Sequence, residues 1–264
     1  FTKSNRSKNS FLACSGVETF KGTPIKSLAR EICQNSLDAA LENGEPTRIE
    51  FKTFEIDPHK IPDYSNLEDA LKRALDFWSQ QQSTKAKTFF KQALDVIHKS
   101  TITCLRISDF NTSGLVGSRE EYNSPWCNLT KSSGASDKSG SHGGSFGIGK
   151  FAPYACSSLR TVFYSTSDKD GLCASQGVSR LTSFKSKKNE ITQGTGFYGN
   201  DKNSPMYKQF SLDPAYSRSA ENSGTDIFIA AFNGNKGWQH QMVASVLDGF
   251  LYAIYNGTLV VDVD

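Results

Sequence analysis

Residues 31–41 read Glu-Ile-Cys-Gln-Asn-Ser-Leu-Asp-Ala-Ala-Leu, an apolar helical pattern threaded by two carboxylates and an amide. A helix turns about 100° per residue, so Asn35 and Asp38 fall within about 40° of Glu31 while Ile32, Leu37, Ala40 and Leu41 take the other sides. A chain that buries such a helix must give the polar stripe either water or a polar ligand. A solvated amphipathic face is one reading, and a metal-nucleotide site is the other.

With 264 residues and 37% hydrophobic content, the chain can bury one large core, which makes a single main domain the expectation. A net charge of +3 is too mild to argue for a nucleic-acid partner by long-range attraction. Cys14, Cys33, Cys104, Cys127, Cys156 and Cys173 contain no C-x-x-C pair, so neither a zinc site nor a disulfide framework is indicated, and reduced thiols in a cytoplasmic protein fit best. No apolar run reaches membrane-spanning length and no signal peptide is evident. The sequons at Asn128 and Asn256 are read as chance. The start at Phe1 and the stop after a strand-like run at 258–263 read as a fragment of a longer protein.

Residues 1–21 are polar and basic with Phe11, Leu12 and Phe20, an arm expected to dock only in part. A domain over 22–264 follows. Its first helix is expected over about 24–42, from Pro24 to the Asn43-Gly44 stop, and a strand over 47–56. In the 57–100 insertion Leu67, Leu71, Leu75 and Trp78 form one amphipathic face and Phe89, Phe90, Leu94 and Ile97 another, which predicts a helical hairpin broken at 80–87. A buried strand over 102–108 delivers Asp109. Residues 112–144 are rich in Ser, Gly and Asn, the composition of a lid or binding loop. A short helix near 148–156, strands near 161–165, 174–181 and 226–231, and a last helix over 238–255 complete the pattern. The class is α+β, with helices on one face of a mixed sheet.

Closely spaced Gly144, Gly147 and Gly149 before Lys150 let backbone N–H groups approach phosphate oxygens. The same stretch fits part of a Walker A loop, but Phe151 stands where Ser or Thr would hold magnesium. It also matches G-x-S-x-G around Ser145 with His240 downstream, although that motif needs a strand leading into it and 134–143 reads as loop. A ligand-free glycine turn is the plain alternative. For Asp109, the plain alternative is an Asx turn closing its strand.

Taken in order, these pieces resemble the GHKL ATPases, the superfamily of gyrase B, ninety-kilodalton heat-shock chaperones, MutL, microrchidia ATPases and histidine kinases. Glu31-x-x-x-Asn35-x-x-Asp38-Ala39 is similar to the N box and Asp109-Phe-Asn-Thr-Ser-Gly114 to the D-x-G-x-G box. Gly144-x-x-Gly147-Ile148-Gly149 resembles the second glycine box, and Ser223-Gly224-Thr225-Asp226 resembles the late G-T motif. The likeness covers most of 23–231 outside the insertion. It departs at Asn111, where the family's first glycine would fall, and at Gly114, one place late.

The resemblance implies a Bergerat fold, a two-layer α/β sandwich with a mixed, mostly antiparallel sheet. It implies ATP and Mg²⁺ as cofactors, Asp109 and Thr225 as readers of adenine, and Asn35 as the magnesium ligand. Glu31 would be the base for the attacking water and Asp38 a supporting carboxylate. Backbone amides around Gly147 and Gly149 would bind the phosphates once a lid over 112–143 closes, Gly114, Gly144 and Ile148 would also line the cofactor, and Lys150, Lys131 or Lys138 would add charge. An ATP-gated homodimerisation switch is expected, with further domains or protein partners beyond Asp264. Nucleic acid is a partner by family analogy alone, in a DNA-acting or defence machine. The alternatives are a non-catalytic ATP-gated module and a kinase. The kinase is disfavoured by the presence of Glu31 and by the absence of a phosphoacceptor hairpin upstream.

Overall fold

The computed structural model describes residues 15–81, 83–132, 149–219 and 221–264. In chain order the elements are α1 (Ser15–Thr19), α2 (Pro24–Asp38), β1 (Thr47–Ile56), α3 (Tyr64–Ser79), α4 (Thr84–Ile97), β2 (Ile102–Phe110), α5 (Pro125–Thr130), α6 (Ala152–Ala155), β3 (Thr161–Ser167), β4 (Cys173–Arg180), β5 (Thr195–Tyr198), β6 (Gly224–Ile229), α7 (Trp238–Tyr255) and β7 (Leu259–Val263). Among the described residues the strands form one sheet in the order β5-β4-β3-β6-β2-β1-β7. Every pairing is antiparallel except β1 with β7. The fold is α+β with a mixed, mostly antiparallel sheet, the class the pattern of elements predicts, but helices cover both faces of the sheet and not one, because the inserted hairpin is apolar enough to bury the second face.

Side chains alternate across a strand, and that alternation divides the core. Ile49 and Phe51 of β1, Leu105 and Ile107 of β2 and Ile229 of β6 pack with Leu28 and Ile32 of α2, Ala152 of α6, and Met242 and Val246 of α7. The intervening positions, Ile56, Ile102, Cys104, Phe163 and Phe228, face a second cluster built from α3 and α4. The inserted hairpin therefore clads the sheet on the side away from α2 and α7 and adds a partial further layer. Sequence periodicity identifies the hairpin but carries no information about which face it covers. Phe90 is fully buried at its centre with Leu71, Ala74 and Ile97. Phe90→Ala is expected to cost about 3–5 kcal/mol, read as a lower denaturant midpoint with an unchanged slope.

α2 ends at Asp38, short of the expected 42. Residues 39–41 instead pair with the loop after β2: Ser113 N–H donates to the Ala39 carbonyl at 2.7 Å, Leu41 N–H donates to Asn111 O, and Ala40 bridges Thr112. Tertiary pairing ends this helix before Asn43-Gly44 can. The hairpin break is shorter than 80–87, since α4 begins at Thr84. Within the expected loop, Pro125–Thr130 is helical, capped where the Ser124 hydroxyl accepts from Cys127 N–H at 3.2 Å. The helix expected near 148–156 is a 3₁₀ turn at Gly149–Phe151 followed by α6.

Of the arm, residues 1–14 lie outside the described residues, and residues 15–21 pack against the domain. Val17 of α1 is buried with Trp126, Phe151 and Tyr154, and Gly16 lies flat on the Phe151 ring, where a Cβ would come within 2.3 Å. Glu18 meets Arg160 at 2.5 Å, Lys21 at 3.0 Å, and Lys85 of the inserted hairpin. Burial alone raises its carboxyl, but the hydrogen bonds from Lys85 and Lys21 and the Arg160 charge outweigh that and hold it at about 2. A lowered folded pKa contributes stability above the ordinary value of 4.5 that is lost as pH falls towards 2. Glu18→Gln should therefore lower the melting temperature at pH 7. After allowance for the exposed lysines the effect is about 1–2 kcal/mol, and the gap to wild type should close in the acid window.

Cys33, Cys104, Cys127 and Cys156 are buried and Cys173 partly so, and all five are free. Burial pushes Cys33, Cys104 and Cys156 up to about 12, so these are packing residues and not nucleophiles. No helix among the described residues is long and apolar enough to cross a membrane. The outward side of α7 nonetheless leaves Val243, Leu247, Leu251 and Tyr255 exposed, four apolar residues in steps of four.

Candidate functional site

The polar stripe of α2 divides in the fold. Glu31 is half-buried while Asn35 and Asp38 are exposed. Asn35 Nδ2 donates to Glu31 Oε1 at 3.1 Å, which leaves the Asn35 amide oxygen as the acceptor. Asp38 takes no part in that pair and accepts from Gln34 Nε2 at 2.8 Å. Burial raises the Glu31 carboxyl above its usual range, against the Asn35 hydrogen bond and the nearby Lys150 charge, which lower it. A carboxylate so raised is a better proton acceptor.

Gly149 lies directly against Glu31. A Cβ at that position would fall 1.6 Å from Glu31 Oε2, so any side chain there would push the carboxylate out of its present place. This contact joins the α2 stripe to the glycine box, two features more than a hundred residues apart. Gly144, Gly147 and Ile148, together with Ser145 and Lys138, lie outside the described residues. Phe151, the residue that spoils the Walker A pattern, is buried beneath α1. His240 is exposed on α7.

Asp109, at the end of β2, is held by three elements. Its Oδ1 accepts from Thr225 N–H at 2.7 Å and from the Thr112 hydroxyl at 2.9 Å, and its Oδ2 accepts from the Ser36 hydroxyl at 3.1 Å. Burial raises this carboxyl, and the Thr225 N–H, the Arg218 charge and the two hydroxyls oppose the rise. Thr225 reaches Asp109 through its backbone, while its hydroxyl lies 3.3 Å from that of Thr166. Gly224 has φ +148°, and a Cβ there would sit 2.3 Å from the Asp109 carbonyl, so the Gly-Thr pair is what permits this approach.

The loop after Asp109 keeps the turn despite the missing glycine. Asn111 adopts φ +59°, the left-handed region that asparagine tolerates best among residues with a side chain. Its Nδ2 donates to the Glu45 carbonyl at 2.8 Å and to Asn43 Oδ1 at 3.2 Å. Gly114 has φ +65° against the Ser167 carbonyl. Asn111→Ala should cost about 2 kcal/mol in thermal melts, with Asn111→Gly milder because it restores the backbone freedom.

Lys150 and Arg180 are only 8% and 4% exposed. Lys150 Nζ donates to the Asn128 carbonyl at 3.0 Å, and Arg180 donates to the carbonyls of Thr130 and Ser132 at 3.1 and 3.2 Å. Burial and the Arg180 charge bring Lys150 down to about 8, while Glu31 acts in the opposite sense. Lys131, the residue that follows α5, is half-buried.

Glu31, Asn35, Gly149 and Lys150 are thus brought together, and α2 carries their link to Asp109 and Thr225 through Ser36. Sequence reasoning missed Ser36, Thr112, Thr166 and Arg180. Ser36 points about 140° away from Glu31 around the helix, and its role becomes visible only once α2 lies across β2. Among the described residues no group of three His, Cys, Asp or Glu side chains forms a ready metal cluster. Neither a comparison with models of known protein families nor one with curated proteins gives a match.

Proposed function

We propose that the chain binds Mg·ATP and hydrolyses it, as a GHKL-type domain with a Bergerat fold acting as a nucleotide-gated switch. The observation that carries this reading is the Glu31–Gly149 contact, which sets a raised carboxylate and a glycine backbone beside the Asn35 amide, while Asp109 at the end of β2 meets the same helix farther on, at Ser36. A buried carboxylate held by a backbone N–H and two hydroxyls suits the exocyclic amine of adenine, and the G-T turn holds it in place.

Each residue then has one task. Asp109 accepts the purine amine, and Thr225 fixes its orientation. Asn35 offers its oxygen to Mg²⁺, which when bound neutralises charge on the phosphates. Glu31 takes a proton from the attacking water. The backbone at Gly149, with Gly144, Gly147 and Ile148 by the resemblance, and the Lys150 ammonium hold phosphate oxygens. The free, buried thiols fit a reducing cytoplasmic setting.

Nucleotide-dependent pairing of two copies fits the exposed apolar side of α7, and a DNA-acting or defence machine is the setting the resemblance suggests. Titration calorimetry with ATP, with and without Mg²⁺, paired with phosphate release at rising protein concentration, tests the whole reading. Micromolar Mg-dependent binding and turnover that climbs faster than protein concentration are expected. Absence of binding would sink it. A non-catalytic, ATP-gated module is the second reading, favoured by the tight packing of Glu31 on Gly149, which narrows the room for a water. Tight binding with no phosphate release would select it.

A further inference from the structure

Arg180 has no place in any of the sequence motifs, yet it sits deep in the site. It and Lys150 are nine-tenths or more buried, and their hydrogen-bond partners are the three carbonyls at the end of α5. Buried charges are normally paired with an opposite charge, whereas the hydrogen bonds of these two cations go to carbonyls, and Glu31 beside Lys150 is the one carboxylate whose charge acts on that lysine among the described residues. The Arg180 guanidinium lies 5.0 Å from the Phe151 ring centre and 5.4 Å from that of Tyr154, and its Nε is buried with no partner among the described residues. An arginine carries five N–H donors and a lysine three, so both retain donors for an anion.

Their position fixes where that anion would lie. Lys150 follows Gly149, which touches Glu31, so the cations adjoin the carboxylate assigned to the attacking water. That is the end of the site where a terminal phosphate would stand. The carbonyls they hold belong to residues 128, 130 and 132. Those residues are anchored at the other end of α5 by Trp126 N–H to Val116 O and by the Ser124 cap.

We propose that Arg180 and Lys150 form a phosphate-reading pair that binds the last phosphate of a nucleoside triphosphate and, in doing so, releases the carbonyls at the end of α5. The pair distinguishes triphosphate from diphosphate, and the difference appears at the end of α5, in residues 128–132. The inference rests on the Mg·ATP reading above. A helix C-terminus held by cations is common and would by itself be structural. Among the described residues Arg180 has no carboxylate partner and an unused N–H, and Lys150 has only the charge of Glu31 nearby; the pair calls for a further anion.

Amide hydrogen exchange over residues 125–132 tests it, comparing free protein, Mg·ADP, and Mg·ATP with turnover blocked by Glu31→Gln. ATP should speed exchange at Lys131 and Ser132, whose N–H groups donate to Cys127 O, by at least about tenfold, and ADP should leave it near the free rate. Calorimetry on Arg180→Gln and Arg180→Lys adds a second measurement. The glutamine variant should bring the ratio of ATP to ADP affinity about tenfold closer to one, and the lysine variant should restore part of it. If both nucleotides bind and exchange is the same in each, the inference is overturned while the ATP reading survives. If neither binds, both fall. Should Arg180→Gln fail to fold, the exchange comparison, made without it, decides.

Discussion

Glu31→Gln should lower the rate of phosphate release from Mg·ATP by about 10²–10⁴-fold while leaving the calorimetric affinity within a few-fold. Glutamine keeps the shape that Gly149 and Asn35 pack against, and loses only the ability to take a proton. The wild-type carboxylate is raised by burial, which brings its basicity closer to that of its task, and Lys150 and Asn35 keep it from rising further. A loss of binding comparable to the loss of rate would show that Glu31 holds the ligand and does not activate water. Unchanged turnover would remove it from the chemistry altogether.

The second large effect is on recognition. Asp109→Asn should weaken ATP binding by about 100-fold, roughly 3 kcal/mol. One oxygen of the asparagine can still accept from Thr225 N–H, but its NH₂ then confronts the Ser36 hydroxyl and the purine amine, and two donors are left facing each other. For the same reason the wild type should reject a purine with a carbonyl in place of that amine. ATP should bind at least about 100-fold tighter than GTP, and the preference should narrow sharply in Asp109→Asn. Calorimetry with both nucleotides on both proteins gives the four numbers required. Equal affinities for ATP and GTP in the wild type would detach Asp109 from base reading.

Long, strongly periodic elements were legible in the sequence to the residue. β1 at Thr47–Ile56 and α7 at Trp238–Tyr255 coincide with their expected bounds, although the alternation of β1 lapses after Lys52 and α7 departs from helical geometry at Phe250. Elements defined by partners were not. β5 has four residues, Thr195–Tyr198, too few for a pattern, and it exists by pairing with β4. α5 hides in a polar stretch where proline, tryptophan and a serine cap mark it only in hindsight.

The site shows the same division. Glu31, Asn35 and Asp109 stand out as polar residues in apolar surroundings. Asp38 shares their stripe but ends on Gln34, since seven residues of helix carry it past Glu31 towards solvent. Arg180 could not be found, because a lone arginine at the end of a strand looks like any solvated one until burial is measured.

β1 lies between β2, its neighbour in sequence beyond the hairpin, and β7, whose residues pair with it across more than two hundred positions. β2 in turn waits for β6. Such long-range closures exact their entropy before contact rewards it, so folding should be slow for a chain of this size. During synthesis β1 keeps an open edge until residues 259–263 emerge, and a half-made chain therefore offers other half-made chains a strand to pair with.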